Sequence, residues 1–293
     1  MIDYETLMRW PLPPVTQTYT GRDTILYALG LGVACCNPVP PADLPFVYEG
    51  APGGLQALPT LAAVLATGAF WMQDPATGID WRRVLHGEQR LEIHRRLPHA
   101  ATVVAEHRVD GLLDKGAGKG AVMLLSRRLY EQGSGDLLAT VGSTVFLRGD
   151  GGFGGRSDGA PRPHPIPDTR PPDLVYEQVT RPEQAMLYRL SGDLNPLHVD
   201  GQLARDAGFE RPILHGMCSY GIAGRAIIAL VCDNDPARLR RLDLRFASPL
   251  FPGETVRIEL WIEAPGRAAF RARARERNEL ILNNGLAQFE PAA

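Results

Sequence analysis

The second half of the chain alternates apolar and polar positions over three stretches. Leu242, Leu244 and Phe246, then Val256, Ile258, Leu260 and Ile262, then Phe270, Ala272 and Ala274 each occupy every second position. A period of two predicts half-buried antiparallel strands, with Pro249 and Pro252-Gly253 turning the chain between the first two. Upstream, residues 219–230 are apolar almost throughout and include glycine and alanine, which predicts a helix enclosed by a sheet. In the first half, residues 102–109, 121–130 and 137–147 read as strands, and the alanine-rich run 58–70 reads as the matching helix. The expected class is α+β, with one central helix per half against a curved antiparallel sheet.

The two halves resemble each other. Tyr27-Ala28-Leu29-Gly30 matches Tyr188-Arg189-Leu190-Ser191-Gly192, and Leu58-Pro59-Thr60-Leu61 matches Arg211-Pro212-Ile213-Leu214. Leu91-Glu92-Ile93 with Pro98 and Thr102-Val103 matches Leu242-Asp243-Leu244 with Pro249 and Thr255-Val256. The matches keep their order at an offset of roughly 150–160 residues, which favours duplication of one unit over a solenoid of shorter repeats. Between the halves, Gly149-Asp150-Gly151-Gly152-Phe153-Gly154-Gly155 runs into a proline-rich segment that can continue neither helix nor central strand. The expected division is residues 1–150, a linker at 151–172, and residues 173–293. The glycine run is not a P-loop, because no G-x-x-x-x-G-K-[ST] and no helix follow it.

Composition narrows the function classes. Apolar residues make up 44% and charged residues 22% of the 293, enough apolar surface to fold. A net charge of -2 gives no electrostatic case for nucleic-acid binding. No apolar run approaches the roughly 18–20 residues that span a bilayer, so no membrane partner is expected. The start lacks a signal-peptide pattern and the end lacks a peroxisomal address, so the expected location is cytoplasmic. Cys35, Cys36, Cys218 and Cys232 lack disulfide or zinc-knuckle spacing and read as buried, reduced thiols.

Candidate chemistry concentrates in Ser191-Gly192-Asp193-Leu194-Asn195-Pro196-Leu197-His198. Gly192 and Asn195-Pro196 force a bent loop that can bring Asp193 and His198 together. A carboxylate beside an imidazole suits general acid–base work on water. Downstream, Pro212-Ile213-Leu214-His215-Gly216 precedes the apolar helix. A free N–H at that helix start, from Gly216, can bind a developing oxyanion. His198, Asp200 and His215 include metal-ligand types, but without H-x-x-x-H spacing or a clear third ligand no metal is expected. No G-x-S-x-G elbow marks a serine hydrolase.

These motifs, with Gly208-Phe209, resemble the MaoC-like, (R)-specific enoyl-CoA hydratases, which include the hydratase domain of the peroxisomal multifunctional enzyme of fatty-acid β-oxidation. In the first half the resemblance includes Tyr48-Glu49-Gly50, Leu85-His86-Gly87-Glu88-Gln89 and Leu113-Asp114-Lys115-Gly116. At the junction it includes Gly151-Gly152-Phe153-Gly154-Gly155 and Arg170-Pro171-Pro172-Asp173. It implies a double hot-dog fold, in which only the second repeat carries the catalytic loop and the first makes room for the acyl tail. The implied reaction is reversible hydration of a trans-2-enoyl-CoA to the (3R)-3-hydroxyacyl-CoA, on medium to long or bulky acyl chains. Asp193 and His198 would hold the water, Asn195 would orient the loop, and the Gly216 N–H would meet the thioester oxygen. By the same resemblance His86, Gly87, Lys115, Leu194, Pro196, Leu197 and Phe246 would contact the acyl-CoA substrate. Neither metal nor other cofactor is implied, and a homodimer is. Two other readings stay open: a synthetic-pathway (3R)-hydroxyacyl dehydratase acting on CoA or carrier-protein substrates, and a hot-dog acyl-CoA-binding protein or thioesterase.

Overall fold

The structure is a computed structural model describing residues 2–291. Strands β1 (Val15–Tyr19), β2 (Val84–Ile93), β3 (Ala101–Asp114), β4 (Ala121–Glu131) and β5 (Leu137–Leu147) belong to the first half. The second half contributes β6 (Leu174–Val179), β7 (Leu239–Phe246), β8 (Thr255–Ala264), β9 (Arg267–Ala274) and β10 (Glu279–Phe289). All pair antiparallel in one sheet, in the order β1-β3-β4-β5-β2-β7-β10-β9-β8-β6. The halves therefore share one internal order, with the fifth-placed strand of each meeting at the seam. The seam is short: β2 and β7 pair from Glu88↔Arg245 to Glu92↔Arg241.

Among the helices are α1 (Tyr4–Met8), α2 (Gly21–Gly30), α3 (Leu44–Val47), α4 (Gln184–Tyr188), α5 (Gly201–Asp206) and α6 (Gly216–Val231). The last is the expected enclosed helix, and residues 218–228 are all buried. Two glycines let the first half press onto it. A Cβ at Gly221 would stand 2.5 Å from Leu31 Cδ2, and one at Gly224 would stand 2.5 Å from Thr60 Cγ2. An ion pair also ties the halves, from Arg225 Nη2 of α6 to Asp43 Oδ1 at 2.7 Å. Tyr27 and Tyr188, the residues that match in the duplicated pattern, meet in the core with ring centroids 6.1 Å apart. No helix among the described residues is long and apolar enough to cross a membrane.

The first half departs from expectation. Run 58–70 forms only a 3-10 turn, Pro59–Ala63, rather than a long helix. Its backbone groups are taken up elsewhere. The Arg127 guanidinium donates to the carbonyls of Ala62 and Ala63 at 3.1 and 2.8 Å. The Ala66 N–H donates to Gln17 Oε1, with Ala66 at φ 49° and Gly68 at φ 72°. Burial of Leu58, Leu61, Ala62 and Leu65 survives without helical periodicity. Cys35 and Cys36 are exposed, not buried, whereas Cys218 and Cys232 are buried thiols as expected.

The glycine run at the junction cradles a carboxylate. Asp114 Oδ1 accepts from the N–H groups of Gly116 and Gly152, and Oδ2 from Gly154, at 2.7–2.8 Å. A Cβ at Gly151 would fall 2.2 Å from the Gly116 carbonyl oxygen, so only glycine fits this close approach.

Candidate active site

The loop between α4 and α5 is shaped by short polar side chains. Gly192 ends the 3-10 turn Arg189–Ser191 at φ 119°, a conformation that favours glycine. Asp193 Oδ1 accepts from the Asn195 N–H at 3.1 Å, and Asn195 Oδ1 accepts from the Leu197 N–H at 3.0 Å. The second bond caps the turn Pro196–His198, and Asp200 then caps α5 through the N–H groups of Gln202 and Leu203. Leu194 and Pro196 are exposed on this loop and Leu197 is half-buried.

The turn delivers His198 to a buried position with its Nδ1 2.9 Å from the Ile213 carbonyl oxygen. That contact assigns the neutral tautomer: Nδ1–H donates, so Nε2 carries the free lone pair. Nε2 stands 3.9 Å from Asp193 Oδ2, whose carboxylate is half exposed. A water bonded to both at about 2.8 Å would bridge this gap at an angle near 90°. Behind the pair, the His215 ring stacks on His198 with centroids 3.7 Å apart, and Tyr188 lies 5.0 Å behind His215. His215 Nε2–H donates to the Asp193 carbonyl oxygen at 3.1 Å, holding the loop from below.

Burial, ahead of the opposing pull of the Ile213 carbonyl and the Asp193 charge, lowers His198 below its usual 6.5. Burial, reinforced by neighbouring His198, pushes His215 down to about 4. Both imidazoles are therefore neutral at pH 7, the form in which His198 can accept a proton.

Through the His198–His215 stack the pair lies next to the start of α6. Gly216 opens α6, with His215 at its N-cap, and its N–H has no acceptor among the described residues. Over it lies Phe246, whose Cε1 would be 3.3 Å from a Cβ at position 216. His86 packs on Phe246 with ring centroids 4.8 Å apart and bonds the Glu88 carbonyl oxygen through Nε2 at 3.1 Å. Burial takes His86 to about 4, and the Asp193 charge is among the smaller influences that raise it. His86, Gly87 and Phe246 lie just past the last ladder pair, Glu88↔Arg245. Residues from both halves thus converge where β2 and β7 part.

Lys115 is not brought into this cluster. It follows β3, three strands from β2 and so about 14 Å away across the sheet, and its ammonium donates to the Ser157 carbonyl. Among possible metal ligands, Asp193, His198 and His215 have donor atoms within 4.8 Å of one another. The imidazoles, however, stack 28° from parallel. Ring lone pairs lie in the ring planes, so these two do not converge on one ion as a tetrahedral site requires.

Comparison with known proteins places the chain. Residues 166–283 match the MaoC like domain, and residues 17–149 match the MFE-2 hydratase 2 N-terminal domain. The chain is 41% identical to the peroxisomal enoyl-CoA hydratase 2 of Arabidopsis thaliana, over 95% of this chain and 93% of that protein. The chain belongs to the MaoC-like hydratase 2 family. It is also 41% identical to 3-hydroxyacyl-thioester dehydratase Y of Mycobacterium tuberculosis, over 88% of this chain and 87% of that one. A MaoC-like dehydratase from Phytophthora capsici shares the fold, with a TM-score of 0.86 and 35% identity over 99% of both chains.

Within this hydratase 2 chain, two contacts escaped the sequence reading, though their residues were named. Tyr188 entered as a repeat match and as the start of the family motif, and its place behind His215 depends on α4 folding against α2. The seam contact of His86 with Phe246 joins residues 160 positions apart, which no local pattern could pair.

Proposed function

We propose that this chain is a hydro-lyase adding water reversibly across a trans-2-enoyl-CoA, giving the (3R)-3-hydroxyacyl-CoA in fatty-acid metabolism. One observation carries the reading: the His198 lone pair and the Asp193 carboxylate are 3.9 Å apart, and His198 stacks on His215, the residue before Gly216, whose N–H has no acceptor among the described residues. The pair holds the water and takes its proton as oxygen attacks Cβ, then returns a proton to Cα on the same face. Negative charge gathers on the thioester oxygen, where the Gly216 N–H and the positive end of α6 stabilise it. Asn195 acts through the loop it caps. His86, Gly87 and Phe246 line the ester's path, and Leu194, Pro196 and Leu197 edge it. Lys115 has no part in this scheme. Hydration as written moves water and a proton only, and calls on no metal or redox cofactor.

The acyl tail is assigned to the apolar side of a mixed cavity of about 150 Å³ beside the loop of Asp193 and His198, where Leu26, Leu61, Val64, Leu65 and Leu190 line it together with the polar Gln17, Asp23, Thr67 and Ser191. Loss of enoyl absorbance with crotonyl-CoA and trans-2-decenoyl-CoA, with chiral analysis of the product, tests the whole reading. An S product or released CoA would overturn it. Val64→Phe is expected to spare the four-carbon ester and cut kcat/KM for the ten-carbon one about tenfold, the equivalent of two buried methylenes at about 0.8 kcal/mol each. Equal loss on both lengths would place the tail elsewhere. Ala66, at positive φ, is the poorer place for such a test.

A pH profile tests the proton acceptor. The working form has His198 neutral, and its folded pKa lies below 6.5. The kcat/KM is expected to be level from pH 7 upward to the stability limit. On the acid side it should fall about tenfold per unit, with the midpoint below 6.5. A midpoint above 6.5 would mean that a different group limits the reaction. Sedimentation velocity tests a homodimer, and cell fractionation tests a cytoplasmic location against the peroxisomal one in the Arabidopsis relative's name.

A further inference from the structure

We propose that Arg127 is a positioning residue for acyl-chain length: with Gln17 and His107 it keeps residues 62–66 from continuing a helix, and so fixes one wall of the tail cavity. This deepens the hydratase reading and rests on it for the place of the acyl tail. The three side chains come from neighbouring strands and from one face of them. His107 of β3 pairs directly with Arg127 of β4, and Gln17 of β1 pairs with Val103 of β3. Strand alternation puts Val103, Ala105 and His107 on the same side. Val103 and Ala105 are fully buried, so this is the core face. Apolar side chains are the ordinary occupants of such positions. Here three polar ones reach instead to one short piece of backbone.

What they bind there decides the local structure. In an α-helix the Ala62 carbonyl would accept from the Ala66 N–H, one turn on. In this chain the two ends of that bond are claimed separately. Arg127 Nη2 donates to the Ala62 and Ala63 carbonyls, and Gln17 Oε1 accepts from the Ala66 N–H. His107 Nε2–H donates to the Ala66 carbonyl at 3.0 Å. The chain therefore leaves its 3-10 turn at Ala63 and passes through Ala66 at φ 49°. Leu61, Val64 and Leu65 of this held segment line the cavity. Arg127 itself is buried, and its Nε has no partner among the described residues. Burial, with no carboxylate set against it, takes its pKa down to about 10 and leaves it charged at pH 7. A charge buried without a counter-ion opposes stability. What it supplies is a fixed path for residues 62–66.

The test is the ratio of kcat/KM for trans-2-decenoyl-CoA to that for crotonyl-CoA, because only the longer tail needs the wall. Arg127→Met keeps an apolar stem and removes the donors. The ratio is expected to fall about tenfold, the worth of two lost methylene contacts, through the KM of the ten-carbon ester. Arg127→Lys, which retains an N–H donor, should recover part of it. His107→Leu removes the one bond to the Ala66 carbonyl and is expected to lower the ratio about fivefold, with His107→Gln restoring it. This second pair carries the test if Arg127→Met does not fold. An unchanged ratio, or equal loss on both esters in folded variants, would overturn the proposal. If Val64→Phe is selective for length and the Arg127 and His107 variants are not, the tail site stands and the positioning role falls. Should the wild-type protein hydrate neither ester, the hydratase reading fails on its own. The proposal is then judged by calorimetric titration with decanoyl-CoA and butyryl-CoA. A preference for the longer ester about tenfold lower in Arg127→Met supports it, and an unchanged preference, or no binding of either, overturns it.

Discussion

Asp193→Asn and His198→Gln are each expected to cut turnover on crotonyl-CoA by about 10²–10⁴-fold, the usual worth of a general acid or base, and to leave the protein folded. Both substitutions are gentle for the loop. Asparagine keeps an oxygen to accept the Asn195 N–H, the bond that shapes the turn at 3.1 Å. Glutamine can donate to the Ile213 carbonyl, which now receives the His198 Nδ1–H. What each loses is a proton-handling atom: the Asp193 charge in one case, the His198 Nε2 lone pair in the other. In the proposed scheme the two hold one water, so the double variant should be scarcely slower than the poorer single one. A folded Asp193→Asn retaining a tenth of wild-type turnover would remove this carboxylate from the catalytic role. Multiplicative losses in the double variant would mean the two act in separate steps.

The loop that carries Asp193 and His198 was legible in the sequence because its geometry is local. Gly192, Asn195-Pro196 and His198 set their own turn through bonds no more than a few residues long. Strands β3, β4, β5, β7, β8 and β9 were legible for a similar reason, since one buried face imposes a period of two. By contrast, β10 was missed, because Asn283-Asn284-Gly285 breaks its alternation where Asn284 adopts φ 54° and the register shifts against β9. The first-half helix was wrongly expected because an alanine-rich run looks helical whether or not its carbonyls are claimed. Here Arg127, some 64 residues downstream, claims two of them. The repeat pattern pointed to two matched halves, and the strand order repeats accordingly. Neither pattern nor spacing could locate the seam where His86 meets Phe246, since pairing between distant strands is decided by tertiary packing.

Gly216→Pro is expected to fold and to lose turnover by about 10²–10³-fold, the effect of about 2.7–4 kcal/mol for one preorganised oxyanion donor. The structure makes proline tolerable here. Position 216 is the first residue of α6, where a missing N–H breaks no helical bond. The preceding residue, His215, already has φ -55° and ψ 131°, the extended region that proline demands of its predecessor. Crowding is the competing explanation for any loss, because a Cβ at 216 would stand 3.3 Å from Phe246 Cε1. Gly216→Ala controls for it by adding the same Cβ while keeping the N–H. The donor is therefore measured by the ratio of the two variants, not by either alone, with circular dichroism and a thermal melt confirming that both are folded. The alanine variant should act mainly on KM, through the shifted Phe246 ring, and the proline variant on kcat. A folded Gly216→Pro with turnover within tenfold of Gly216→Ala would assign the oxyanion to another donor. His215 could not be that donor, because its Nε2–H is committed to the Asp193 carbonyl and its buried Nδ1 carries no proton in that neutral tautomer. The next amide of the same helix end, Met217 N–H, also has no acceptor among the described residues, and it would take the role.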